Sequence, residues 1–95
     1  MINGDVREFI DGLHYGDERF FIYNKKKYFI QGIYDSTKNE KPMLEVYIFE
    51  PSDNDFEWRV FSEDNNYPVT KFENAKIFDG KTFWEVEKEI EWVDY

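Results

Sequence analysis

One histidine, no cysteine and twenty-one carboxylates bound the chemistry available to this chain. His14 is the only imidazole, so any nucleophilic triad must run through it, and no G-x-S-x-G turn accompanies it. It follows an apolar stripe and precedes Gly16, which reads as a structural or solvated histidine. Asp53, Asp55 and Glu57 begin with the spacing of a calcium loop, but Trp58 stands where that loop needs glycine and Asp64 where it needs glutamate. The segment reads as a polar turn, and no metal site is expected. Absence of cysteine removes disulfides and thiolate ligands. Many carboxylate pairs exist, yet spacing alone singles out none as acid and base. Phosphate-binding glycine loops and zinc patterns are absent. A non-enzymatic protein without cofactors is therefore expected, with a small carboxylate-site enzyme as an alternative.

Charge gives a more directed expectation. The net charge is −9, and residues 49–95 carry thirteen acids against five bases. Nucleic-acid affinity comes largely from cations that displace counterions, so direct binding to nucleic acid is not expected. A basic protein surface is the partner this balance favours. The candidate contact residues are Glu57, Trp84, Glu85, Glu87, Glu89, Glu91, Trp92 and Asp94, because carboxylates dense enough on one face imitate the charge of a duplex. The expectation extends to a nucleic-acid mimic that inhibits a nuclease or a CRISPR-type effector. Its rival is a small self-associating accessory protein, monomer or homodimer, that works through exposed aromatic rings. Lys25, Lys26 and Lys27 form the only basic run. They read as a solvated hairpin tip, with a phosphate contact flanked by Tyr23 and Tyr28 as the sharper alternative.

These residues must be positioned by one domain, 1–95, of the α+β class. Ten Phe, seven Tyr and three Trp supply about half of its apolar set, and each ring buries roughly 150 to 250 Å². Val6, Phe9, Ile10 and Leu13 form one helical stripe, with Asn3 or Asp5 as N-cap, Glu8 placed for a capping box and Gly16 as the stop, so a helix is predicted over about 4–14. Arg19 to Tyr23 and Lys27 to Tyr34 predict a hairpin around Asn24 to Lys26, where Lys25 occupies the site that a type I′ turn prefers to give to glycine. Met43 to Phe49 and Phe56 to Phe61 alternate as strands three and four, joined by a turn over 51–55. Short connections then predict an antiparallel four-stranded meander. A short helix over about 68–76, with Pro68 in its first turn and Asn66 as cap, precedes the Asp79-Gly80 turn.

The last segment, FWEVEKEIEWVDY, fits both periods. Period two places Trp84, Val86, Ile90 and Trp92 on one side, whereas period 3.6 places Phe83, Val86, Ile90 and Val93 there. Thr82 with Glu85 is a capping-box signature, so a helix over 83 to about 92 is predicted, at the cost of like-charge pairs Glu85/Glu89 and Glu87/Glu91. Two C-terminal helices on one face of the sheet complete the expected fold. No apolar run reaches the length of a membrane span and no basic, apolar-centred leader opens the chain, so a cytoplasmic protein is expected, away from membranes.

Two stretches, YGDERFFIYNKKKYFI (Tyr15 to Ile30) and IFDGKTFWEVEKEIEWVDY (Ile77 to Tyr95), resemble small uncharacterised proteins of Gram-positive gut bacteria and their mobile elements. The resemblance covers about a third of the chain and implies no catalytic residues. In that group the hairpin turn is often Asn-Gly, from which Lys25 departs. A likeness of kind links the composition to small acidic inhibitors of nucleases and anti-CRISPR proteins.

Overall fold

The structure, a computed structural model, describes residues 1–50 and 56–93. The turn expected at 51–55, with Asp53 and Asp55, lies outside the described residues, as does Asp94.

Asp5 caps α1 (Val6–Leu13), its carboxylate accepting the amide hydrogens of Arg7 and Glu8. The expected stripe faces inward: Phe9 and Leu13 are fully buried, and Val6 and Ile10 pack on the same core. Gly16 has φ +74° beyond the end of the helix. Strands β1 (Arg19–Tyr23) and β2 (Lys26–Ile33) then form the predicted hairpin. Its two-residue turn is Asn24-Lys25, with φ of 51° and 63°, the all-positive geometry that matches strand twist. A left-handed non-glycine residue costs about 1–2 kcal/mol, of which a glycine's extra backbone entropy gives back about half. Lys25→Gly is therefore expected to raise stability by about 0.5–1 kcal/mol, measured by urea unfolding.

Strands β3 (Met43–Glu50) and β4 (Glu57–Phe61) follow as read from their alternation, each antiparallel to its neighbour. Helix α2 (Val69–Asn74) starts from Pro68, so Asn66 is not its cap; the Asn66 amide instead donates to Asp64.

The C-terminal segment corrects the expected layout. Helix α3 (Phe83–Val86) is a single turn, a 3₁₀ turn spans Glu87–Glu89, and Glu91–Val93 is β5, paired antiparallel with β1. Among the described residues the sheet thus has five strands in the order β4-β3-β2-β1-β5, not four. Both periods are real, each over half the segment. The Thr82–Glu85 capping box starts the helix as predicted, and Phe83 and Val86 are buried at helical spacing. Continuing it would stack the like-charge pairs. Extending the backbone from Ile90 instead gives the edge of β1 a partner and lets Ile2 bond to both Ile90 and Trp92.

The α-helices share one side of the sheet. Phe9, Phe72, Phe78 and Phe83 meet Phe21, Tyr23, Tyr28, Ile30, Leu44, Val46 and Ile48 in a single aromatic core. Phe9 stacks on Phe83 at 5.6 Å, which ties α1 to α3. Burial pushes the Tyr28 hydroxyl up to about 12, helped by the nearby Asp79 charge.

Candidate functional site

Among the described residues, the acidic residues singled out by sequence are divided between opposite edges of the sheet. Glu57 lies on β4, the opposite edge of the sheet from β5, and bonds to Arg59. The Glu85 carboxylate is occupied with the Thr82 amide (3.0 Å) and hydroxyl (3.1 Å), and the amide bond above all holds it below the usual glutamate range. Glu87 bonds the Met1 amino group, and Glu91 accepts from Asn3 at 3.2 Å. Glu89 is exposed. The tryptophans separate: Trp92 is held between Phe9, at 5.8 Å, and the Arg19 guanidinium, at 5.3 Å, whereas Trp84 is about half exposed and donates its indole N–H to Glu73 at 2.7 Å. Trp84, Glu73, Glu85 and Glu89 thus remain at the α2/α3 end, with Lys76 and Lys81 close enough to act on Glu85.

His14 is exposed and borders a shallow groove with Asp64, Tyr67 and Lys71. In that groove the Ser62 hydroxyl donates to Asp64, which also accepts the Asn66 amide, and this bonding lowers the Asp64 pKa. Among the described residues, no three His, Asp or Glu side chains gather closely enough to hold a metal ion. No helix among them is long and apolar enough to cross a membrane.

A second aromatic cluster occupies the other side of the sheet. Phe20, Phe29, Tyr47 and Phe49 approach one another with centroids 4.8–5.4 Å apart. Phe29 and Met43 are buried yet stand outside the core that the helices cover. Register sets Ile33, Met43 and Phe61 in one row across three strands, and Ile33 and Phe61 are 41% and 52% exposed. Between these apolar rows runs a polar one. Glu45, 8% exposed, accepts from Gln31 at 2.9 Å and from Arg59 Nε at 2.8 Å.

Sequence reasoning did not single out this face. The signal was present in RFFIY and KKYFIQGI, which are apolar on both sides; a strand with one solvated face alternates.

Burial alone would raise the Glu45 pKa, but the Gln31 and Arg59 hydrogen bonds outweigh it and hold the carboxyl below its ordinary value of 4.5. A depressed carboxylate contributes stability above the unfolded value and loses it as pH falls through the folded one. Glu45→Gln should therefore destabilise the protein by about 1–2 kcal/mol at neutral pH. The gap from the parent should shrink below pH 4.5; urea unfolding at a series of pH values measures it.

Together these elements define a two-layer α+β domain with helices on one face of an antiparallel sheet and an aromatic face opposite. No family model, curated protein or solved structure matches the chain.

Proposed function

We propose that this is a non-enzymatic interaction protein whose contact surface is the helix-free aromatic face of the sheet. One observation carries the reading: Phe20, Phe29, Tyr47 and Phe49, continued by Ile33 and Phe61, form an apolar surface on which none of the α-helices packs. Ile33 and Phe61 are exposed at one end of this face, and neighbouring exposed apolar side chains on a small charged protein mark an interaction site. The rings are mutually packed, so they lose little side-chain entropy when a partner covers them.

A second reading, capture of a basic protein surface at the α2/α3 end, is favoured by Trp84, a half-exposed ring among Glu73, Glu85 and Glu89. It does not include Glu57 or Glu87, whose carboxylates face partners within the chain. A duplex presents one charge per about 1.7 Å of axis, and the separated acids do not approach that density.

Photo-cross-linking in native cells distinguishes the two. A photoreactive residue replacing Phe49 should give a discrete adduct, while one replacing Glu89 should give none. Adducts at 89 alone would assign function to the acidic end, and no adduct at either position would refute both readings.

A further inference from the structure

We infer that the open edge of β4 receives an extended segment of another protein as a sixth strand, with a cation opposite Glu57 and an apolar side chain opposite Trp58. The inference goes beyond the reading of the aromatic face and concerns a different part of the sheet.

The two edges of the sheet are unequal. At β5 the edge is closed, because the Ile2 amide donates to the Ile90 carbonyl at 2.8 Å and the Trp92 amide donates to the Ile2 carbonyl at 2.9 Å. At β4 no strand lies outside among the described residues. The Ser62 amide donates to the Pro42 carbonyl at 2.8 Å, and ladder bonds alternate along an antiparallel pair, so Val60 and Trp58 bond inward to β3. Glu57, Arg59 and Phe61 therefore turn their backbone groups outward. Lys71 Nζ donates to the Phe61 carbonyl at 3.1 Å. Among the described residues, the amides and carbonyls of Glu57 and Arg59 have no partner in the chain, and such a row is the template on which a docking strand pairs. The β3–β4 register runs without a bulge, so the row is regular.

Charge and burial choose the occupant. Around this edge Glu45, Glu57 and Glu63 stand against Arg59 and Lys71, and both cations are engaged by those carboxylates. The balance is negative, in a chain of net charge −9, so a cationic strand is attracted where an acidic strand or a second copy of this chain is repelled. Glu57 gives one oxygen to Arg59, and a carboxylate accepts about four hydrogen bonds, so a lysine opposite it needs no exchange of partners. On the helix side, Trp58 and Val60 pack on the core and stay partly exposed at the rim, with Trp58 6.3 Å from Phe72. Alternate side chains of a sixth strand fall beside them, which sets the apolar position of the segment.

The test is amide hydrogen exchange of the full chain, read residue by residue by NMR, as the capped peptide acetyl-Thr-Val-Thr-Val-Lys-amide is added. Antiparallel to β4, its fifth residue lies opposite Glu57, its fourth opposite Trp58 and its third opposite Arg59. With peptide at about ten times its dissociation constant, exchange at Glu57 and Arg59 should slow by about tenfold. Trp58 and Val60, whose amides already bond to β3, should be unchanged. Ending the peptide in Glu in place of Lys should weaken binding by about fivefold or more, and Glu57→Gln should remove that preference. N-methylation of the peptide's third residue, whose N–H pairs with the Arg59 carbonyl, should abolish the protection. N-methylation of the fourth, whose N–H points away from β4, should not. Absence of protection at Glu57 and Arg59, or equal binding of the two peptides, overturns the inference. Protection that rises with the protein's own concentration, without peptide, also overturns it and assigns the edge to a second copy.

Discussion

Gly32→Ala should destabilise the fold by about 3 kcal/mol or more, among the largest effects of any single methyl group in this chain. Gly32 sits on the helix side of β2, where the connection after α1 crosses it, and its amide donates to the Gly16 carbonyl at 3.2 Å. A Cβ there would overlap the Gly16 Cα and lie 2.5 Å from the Tyr67 ring. A ring can swing away; a backbone atom already bonded to the same strand cannot. At about 4–8 °C per kcal/mol for a domain of this size, the thermal midpoint should fall by roughly 12–24 °C. Gly80→Ala separates sterics from backbone preference. Gly80 has φ +81°, but a methyl group added there would meet nothing within 4 Å, so its cost should stay near the roughly 1–2 kcal/mol of a left-handed residue. Equal losses at the two positions would show that close approach is not what Gly32 provides.

Gly80 was legible as part of the Asp79-Gly80 turn, but Gly32 does not stand out in the sequence, because the need for it is created by Gly16 and Tyr67, far away along the chain. What the sequence did carry was local. Thr82 and Glu85 announced one helix start and Asn3 or Asp5 another, of which Asp5 is the cap; a turn at Asn24 to Lys26 followed from the strands on either side, and it is one residue shorter, Asn24-Lys25. The C-terminal segment defeated a one-period reading because its capping signal governs only one turn. What ends that turn is tertiary: the free edge of β1 and the Ile2 backbone offer hydrogen bonds that a continued helix would forgo. The capping box showed where the helix begins and nothing about where it stops.

Of the candidate acidic surface, the charges were legible in the sequence and their places in the fold were not. Charge counts along the chain are blind to spatial order, so they group Glu57 with acids that the sheet order places at its opposite edge. Internal pairing is equally invisible: Glu85 serves a cap and Glu87 an amino group, although both read as available charge. The aromatic face was hidden for another reason. Alternation identifies which side of a strand is apolar, and in β1, β2 and β3 both sides are.

That two-sidedness leads to the other large effect, a contrast between the two ring clusters. Phe83→Ala should cost about 3–5 kcal/mol, a large part of the roughly 5–15 kcal/mol that holds a domain folded. Phe83 is fully buried and touches rings from three segments: Phe9 of α1, Phe72 of α2, and Phe78 of the connection, at 5.6, 5.5 and 6.3 Å. Helix α3 is too short to persist without that burial, since a single capped turn does not overcome the cost of helix nucleation. Removing the ring should therefore release α3 and, through Phe9, loosen α1. Phe83→Leu, which keeps most of the volume, should cost less than about 1.5 kcal/mol. On the opposite face Ile33→Glu removes a side chain that is already 41% exposed and should change the stability of the dilute protein by under about 1 kcal/mol. Thermal unfolding of the three variants at one low concentration makes the comparison. If Phe83→Ala and Ile33→Glu proved equally mild, the helix-side cluster would not be what holds the layers together. If Ile33→Glu were as damaging as Phe83→Ala, the outer face would belong to the folding core and could not be a surface kept available for binding.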